Sequence, residues 1–221
     1  MLVIVAACQK EVTFDNAGPG SGGGGTTNGE CKACTYLPWC DGSIYNYYDT
    51  VFGATPMVTA DTIQYIKDTT FDGRTYRKLI TKGSTTPYYT NCSSGISRYA
   101  VFNVAVTGGT VTKIDLRMLF ETQPVGYTWN DTISNGFGQT VIYKNKIVEK
   151  AVSRTLGGTV FPDVIHVESE SGVNIPIIGY TAATMSDYYY AKGVGVVDAI
   201  IASADRSSVY EHKVIKAYSI P

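Results

Sequence analysis

This sequence is poor in the residues from which most catalytic sites are built. Only two histidines, His166 and His212, occur in 221 residues. No Gly-x-Ser-x-Gly elbow is present to expose a serine nucleophile. Gly22–Gly25 is not followed by a helical pattern, so it is not a phosphate-cradling loop. No apolar run reaches the ~20 residues that a membrane-crossing helix needs. Charge of one sign is also missing. Charged residues make up 17% of the chain and the formal net charge is -1. Lys10, Glu11, Asp15 and Glu30 lie in the first thirty residues; without them, 17 basic side chains face 16 acidic ones. Such a balance leaves no electrostatic footprint for nucleic acid or an anionic membrane surface. No segment of ten or more residues carries a helical stripe.

Hydrophobic residues, at 44%, are sufficient for a globular core, and the chain holds 17 tyrosines and 23 glycines. Low charge with abundant Tyr, Thr and Gly suits an extracytoplasmic β protein. The length beyond residue 30 accommodates one generous domain or two small ones; we read 31–221 as a single antiparallel β domain. Before it, Leu2–Ala7 is apolar and Val5-Ala6-Ala7-Cys8 resembles a bacterial lipobox, which makes Cys8 the candidate lipidation site and 1–8 a shortened signal segment. Residues 9–30 then read as a flexible Gly-rich tether, with an r.m.s. span of roughly 25 Å as a coil.

Four further cysteines, Cys31, Cys34, Cys40 and Cys92, are an even set, and in an exported protein they predict two disulfides with three possible connectivities. The Cys31-x-x-Cys34 spacing also occurs in redox and zinc sites. A redox pair would open a helix in a βαβ unit, however, and a four-cysteine zinc site generally has two such pairs. Each structural disulfide would contribute about 3 kcal/mol.

Along the domain, short strand patterns alternate with turn signals, as expected of antiparallel all-β architecture. Asp41 to Thr50 reads as a turn and an aromatic strand. Asp72-Gly73 between two alternating segments predicts a type I′ hairpin, with Asp68 opposite Arg77 and Tyr65 opposite Ile80. A second hairpin spans Arg98 to Phe120. Keeping its apolar faces in phase favours a three-residue loop at 108–110, with Ala100 opposite Met118 and Phe102 opposite Leu116. A hairpin from Gln139 to Thr155 is expected to turn near Lys144-Asn145. Phe161–Glu170 is a strand with a partner near Asn174–Thr181, and Ala182–Asp187 is compatible with one helical turn. Tyr188–Ser203 and Ser208–Ile220 read as closing strands. Gly193 and Gly195, two apart, would bare one face of a strand whose other face carries Tyr188 and Tyr190.

Tyr190-Ala191-Lys192-Gly193-Val194-Gly195, with Asp163-Val-Ile165, Gly126-x-x-Trp129 and the Cys-x-x-Cys-x5-Cys start, resembles uncharacterised lipoproteins of Bacteroidetes-type Gram-negative bacteria. The resemblance covers roughly residues 31–205. It implies a curved antiparallel sheet, half-barrel or open barrel, and an outer-membrane address on the periplasmic or cell-surface face. The β-sandwich is the alternative fold. The resemblance implies no activity.

Aromatic side chains are the better lead to a site. Tyr127, Trp129, Tyr188 and Tyr190, with the bare glycines Gly193 and Gly195, are the candidate ligand-contacting residues, because rings can line an apolar pocket or stack on sugars. His166 shares a strand face with Glu168 and Glu170, a spacing compatible with glycosidase or metal chemistry but equally with a solvated face. The expectation is therefore a lipid-anchored envelope binding module for an apolar ligand, a glycan or a partner protein, without catalysis, cofactor, metal or nucleic acid. A structural or assembly accessory of an outer-membrane complex is the alternative, and a hydrolase the second alternative.

Overall fold

The computed structural model describes residues 34–106, 109–134 and 140–220, without the side chains of 102–113. Twelve strands form one antiparallel sheet: β1 (Ile44–Val51), β2 (Met57–Phe71), β3 (Arg74–Thr81), β4 (Tyr88–Ser93), β5 (Ile96–Val106), β6 (Gly109–Phe120), β7 (Thr128–Ser134), β8 (Thr140–Leu156), β9 (Thr159–Ile175), β10 (Gly179–Ala191), β11 (Gly195–Ser203) and β12 (Val209–Ser219). Consecutive strands pair throughout, except that β6 and β7 are the two edges and β1 pairs with β12. The sheet rolls into a nearly closed barrel with one unsealed seam, the open-barrel form expected, and no helix occurs among the described residues.

Side chains hold the seam where backbone pairing stops. Trp129 Nε1 donates to the Arg117 carbonyl at 2.8 Å, and Asp131 accepts the Arg117 backbone N–H at 2.9 Å and its Nε at 2.7 Å. One end of the barrel is strapped by residues 34–43. Cys34 is disulfide-bonded to Cys92 on β4. The Thr35 and Tyr36 amides reach Glu121, the Tyr36 hydroxyl reaches Asp163, and Gly193 N–H donates to the Thr35 carbonyl. Cys40 is disulfide-bonded as well; Cys31, like Cys8, lies outside the described residues.

Local chemistry explains the hairpins that match expectation and those that do not. Asp72 and Gly73 both adopt positive φ, 52° and 71°, as a type I′ turn requires, and Asp68 stands opposite Arg77. Tyr65, however, faces Leu79 rather than Ile80, because a bulge at Ile66 shifts the ladder. On β5 and β6, Val106 pairs with Gly109 and Ala100 with Asp115. Two residues therefore separate these strands, not the predicted three. The prediction assumed unbroken alternation, whereas Ser97 pairs with Leu119 and Arg98 with Arg117, leaving Met118 unpaired and resetting the faces. β8 runs straight through Lys144-Asn145 and turns at Gly157-Gly158. Those polar residues are held in the sheet: Lys144 bridges to Glu170 across the strands, and buried Asn145 lies against the Trp129 carbonyl. Ala182–Asp187 is strand, paired to β9, not a helical turn. The partner of the Phe161–Glu170 strand is the longer Gly179–Ala191, so Tyr188 to Ala191 belongs to β10 and β11 begins only at Gly195.

Candidate functional site

Alternation along the strands decides what faces the interior. Tyr45 and Tyr47 of β1, Tyr88 of β4, Tyr190 of β10 and Val196 and Ile201 of β11 surround an apolar cavity of about 250 Å³. Several of the hydroxyls are tied to backbone carbonyls: Tyr45 to Pro38 at 2.7 Å, Tyr47 to Val196 at 2.9 Å and Tyr190 to Met118 at 3.4 Å. Tying the polar tips leaves the ring faces as lining, so a wall rich in tyrosine is apolar in effect. Burial pushes the Tyr45, Tyr88 and Tyr190 hydroxyls well above the ordinary tyrosine range, and Tyr47 in the same direction. They stay protonated, and Tyr45, Tyr47 and Tyr190 act as donors. A second cavity of about 320 Å³ adjoins the first. It shares Tyr99, Met118 and Tyr188 with it and adds the buried polar residues Asp131, Asn145 and Ser169.

Glu211 and Lys213 of β12 also border the apolar cavity. Register places Asp49 opposite Lys213, and Asp61 opposite Tyr47, so these carboxylates share the interior face. Lys213 Nζ lies 2.9 Å from Asp49, 3.2 Å from Asp61 and 3.8 Å from Glu211. Burial lowers the affinity of Lys213 for its proton, but the Asp49 and Asp61 contacts outweigh it and raise its pKa. Sequence reasoning missed this group. Its signal was Glu211-His212-Lys213 inside an alternating strand, which becomes informative only once β12 is known to pair with β1.

The predicted site residues divide. Tyr188, Tyr190 and Gly195 line the apolar cavity. Tyr127 and Trp129 instead stack on each other, centroids 6.0 Å apart, against Phe120 beside the seam. Gly193 is in the turn before β11 and not on the strand face, and its φ of 72° explains the glycine there. Gly195, with φ 122°, brings the backbone up to the Tyr45 ring.

Away from the interior, His166 Nε2 meets Asp187 at 2.7 Å, while Arg206 bridges Asp187 to Glu168. Tyr189 is sandwiched between the His166 ring, 4.3 Å away, and the Arg154 guanidinium, 3.4 Å from its centroid. Arg154 continues to Asp198, which also meets His212 at 2.8 Å. Glu170 is diverted to Lys144 and Tyr180, so the predicted His166–Glu168–Glu170 row does not converge. No group of three His, Cys, Asp or Glu side chains among the described residues is arranged to hold a metal.

No protein-family model matches the sequence. No curated protein matches it significantly. Two solved structures resemble the fold. A "putative lipoprotein" from Parabacteroides distasonis superposes with a TM-score of 0.53 at 11% identity, covering 84% of this chain and 99% of that one. A "putative exported protein" with a YmcC-like fold from Bacteroides fragilis gives a TM-score of 0.46 at 9% identity, covering 85% and 100%. At these identities the first likeness shows a shared fold.

Proposed function

We propose that the protein is an exported, lipid-anchored β-barrel of the cell envelope that binds an apolar molecule in its interior and performs no catalysis. The observation that carries this reading is the apolar cavity walled by tyrosine rings, with the Tyr45, Tyr47 and Tyr190 hydroxyls turned into the backbone. Burying an apolar ligand there would gain about 25 cal/mol for each Å² removed from water. The lining favours an apolar ligand over a glycan, which would need more unsatisfied polar groups on the walls. Attachment at Cys8 supplies the anchor, and the Parabacteroides protein of the same fold, itself named a putative lipoprotein, fits that address.

The test is extraction of the natively purified protein with organic solvent, followed by mass spectrometry. We expect a stoichiometric apolar compound, released by Tyr190→Trp, which fills the cavity. An empty preparation that also fails to bind an environment-sensitive apolar dye would overturn the reading. Metabolic labelling with a palmitate analogue checks the anchor: label on the wild type and none on Cys8→Ser is expected.

One observation favours a second reading as an assembly accessory. Val51, Met57, Val58, Val209 and Tyr210 on the neighbouring strands β1, β2 and β12, and Phe52 just after β1, are all exposed at the end of the barrel opposite the strap. An apolar surface of this kind fits contact with another envelope protein. Site-specific cross-linking from residue 52 in intact cells would show a discrete adduct if it does.

A further inference from the structure

The charged group at the cavity edge is unbalanced. Asp49, Asp61 and Glu211 share Lys213, so three carboxylates meet one ammonium. Asp49 is 8% exposed, and its Oδ1 is buried without a hydrogen-bond donor. An unpaired buried carboxylate oxygen is costly, because desolvation is not repaid by a partner. Burial, then the Asp49 charge, pushes the Glu211 carboxyl above its usual range, the behaviour of an acid in a place already too negative. Glu211 and Lys213 border the apolar cavity directly, and Arg98, which borders it too, is engaged by Asp115 at 3.6 Å, so the acidic group meets the apolar surface at Glu211, with Asp49 and Asp61 behind it. The tyrosine rings beside them add electron-rich faces that attract cations.

Resting on the binding reading above, we infer that the interior accepts a cationic amphiphile. Its apolar chain occupies the tyrosine-lined cavity and its ammonium sits against Asp49, Asp61 and Glu211. An anionic head is disfavoured, because Lys213 is already shared by three carboxylates and a further anion would meet their repulsion. The cavity of about 250 Å³ lies at or below the lower limit of ordinary ligand pockets, ~300 Å³. This size matches one short chain.

The experiment is calorimetric titration of the full chain with three detergents of equal chain length, below their micelle concentrations: decyltrimethylammonium, decanoate and decyl maltoside. We expect the cation to bind at least tenfold more tightly than the other two, with its advantage shrinking as salt is raised. Asp49→Asn should remove most of that advantage while leaving decyl maltoside affinity within twofold. Asp61→Asn, at a less buried position, should reduce it in the same direction and serves if the Asp49 variant does not fold. Equal affinity for all three heads, or preference for decanoate, would overturn the cationic assignment while the cavity reading stands. Binding of none of them would overturn both.

Discussion

Removing Asp131 should open the barrel at its seam. This carboxylate is the main tie between edge strands that share no backbone ladder. It accepts the Arg117 amide at 2.9 Å and the Arg117 Nε at 2.7 Å, while itself buried. Hydrogen bonds to charged groups contribute about 1.5–3 kcal/mol each, and a buried amide left unpaired costs about 1–3 kcal/mol. The Arg117 side chain is 31% exposed, so water partly replaces what it loses, and its share belongs at the low end. Together, Asp131→Ala should cost about 3 kcal/mol. Asp131→Asn, which keeps an acceptor for the amide, should cost about half. Urea unfolding followed by tryptophan emission measures both, since of the two tryptophans Trp129 is bonded across the seam and Trp39 lies in the other core cluster. Hydrogen exchange should accelerate on β6 and β7 before other strands. A loss under about 0.5 kcal/mol for the alanine variant, or equal losses for Ala and Asn, would refute this account of how the seam is held.

Three further outcomes follow from the structure. The Cys34–Cys92 bond closes a sequence separation of 58 residues, for which chain-entropy arguments give about 4 kcal/mol; Cys34→Ala with Cys92→Ala should lower the urea-derived stability by about 2–4 kcal/mol, and under 1 would contradict the strap's role. At Gly172 an added Cβ would stand 2.4 Å from the Thr181 carbonyl oxygen and 2.7 Å from the Tyr180 ring. Gly172→Ala should therefore cost more than about 2 kcal/mol, whereas Gly193→Ala, with open space but positive φ, should cost about 1 kcal/mol in thermal melts. Acid should destabilise the fold. Burial raises the Asp187 carboxyl, but His166 and Arg206 outweigh it and hold it below the ordinary value, and the Tyr36 hydroxyl holds Asp163 down. Depressed carboxylates stabilise the native state fully above their unfolded pKa of about 4 and lose that contribution as pH falls through the lower folded values. The contribution of these two carboxylates should be level well above pH ~4 and fall below it, and Asp187→Asn should flatten the fall.

Hairpin chemistry was readable where a single dipeptide dictates backbone angles, as at Asp72-Gly73. The antiparallel all-β class followed from strand-length alternation and recurrent turn signals, and the open-barrel form from the resemblance to envelope lipoproteins. Bulges were not readable. Ile66 and Met118 look like any residue in an alternating run, yet each displaces a register because the extra residue is left unpaired, bending the strand and increasing its local twist. Lys144-Asn145 resembled a turn because polar pairs generally are turns; here cross-strand partners hold them in the sheet. For the site, the tyrosines of β10 were found from their sequence motif. Asp49, Asp61, Glu211 and Lys213 were not, since their meeting depends on one pairing between the two ends of the domain.

That pairing also orders the events of folding. Every other ladder joins strands consecutive in the chain, so each six-stranded meander, β1–β6 and β7–β12, can form through short hairpin closures. Among the ladders, only β1 with β12 joins segments distant in the chain, with Val51 opposite Glu211, and contacts of that range are slow to form. Tyr47 and Tyr88 come from the first meander, Tyr188 and Val196 from the second. The cavity and its charged edge therefore do not exist in either half alone. They require the ends of the domain to zip together, so binding of the proposed ligand would report the joining of the two halves.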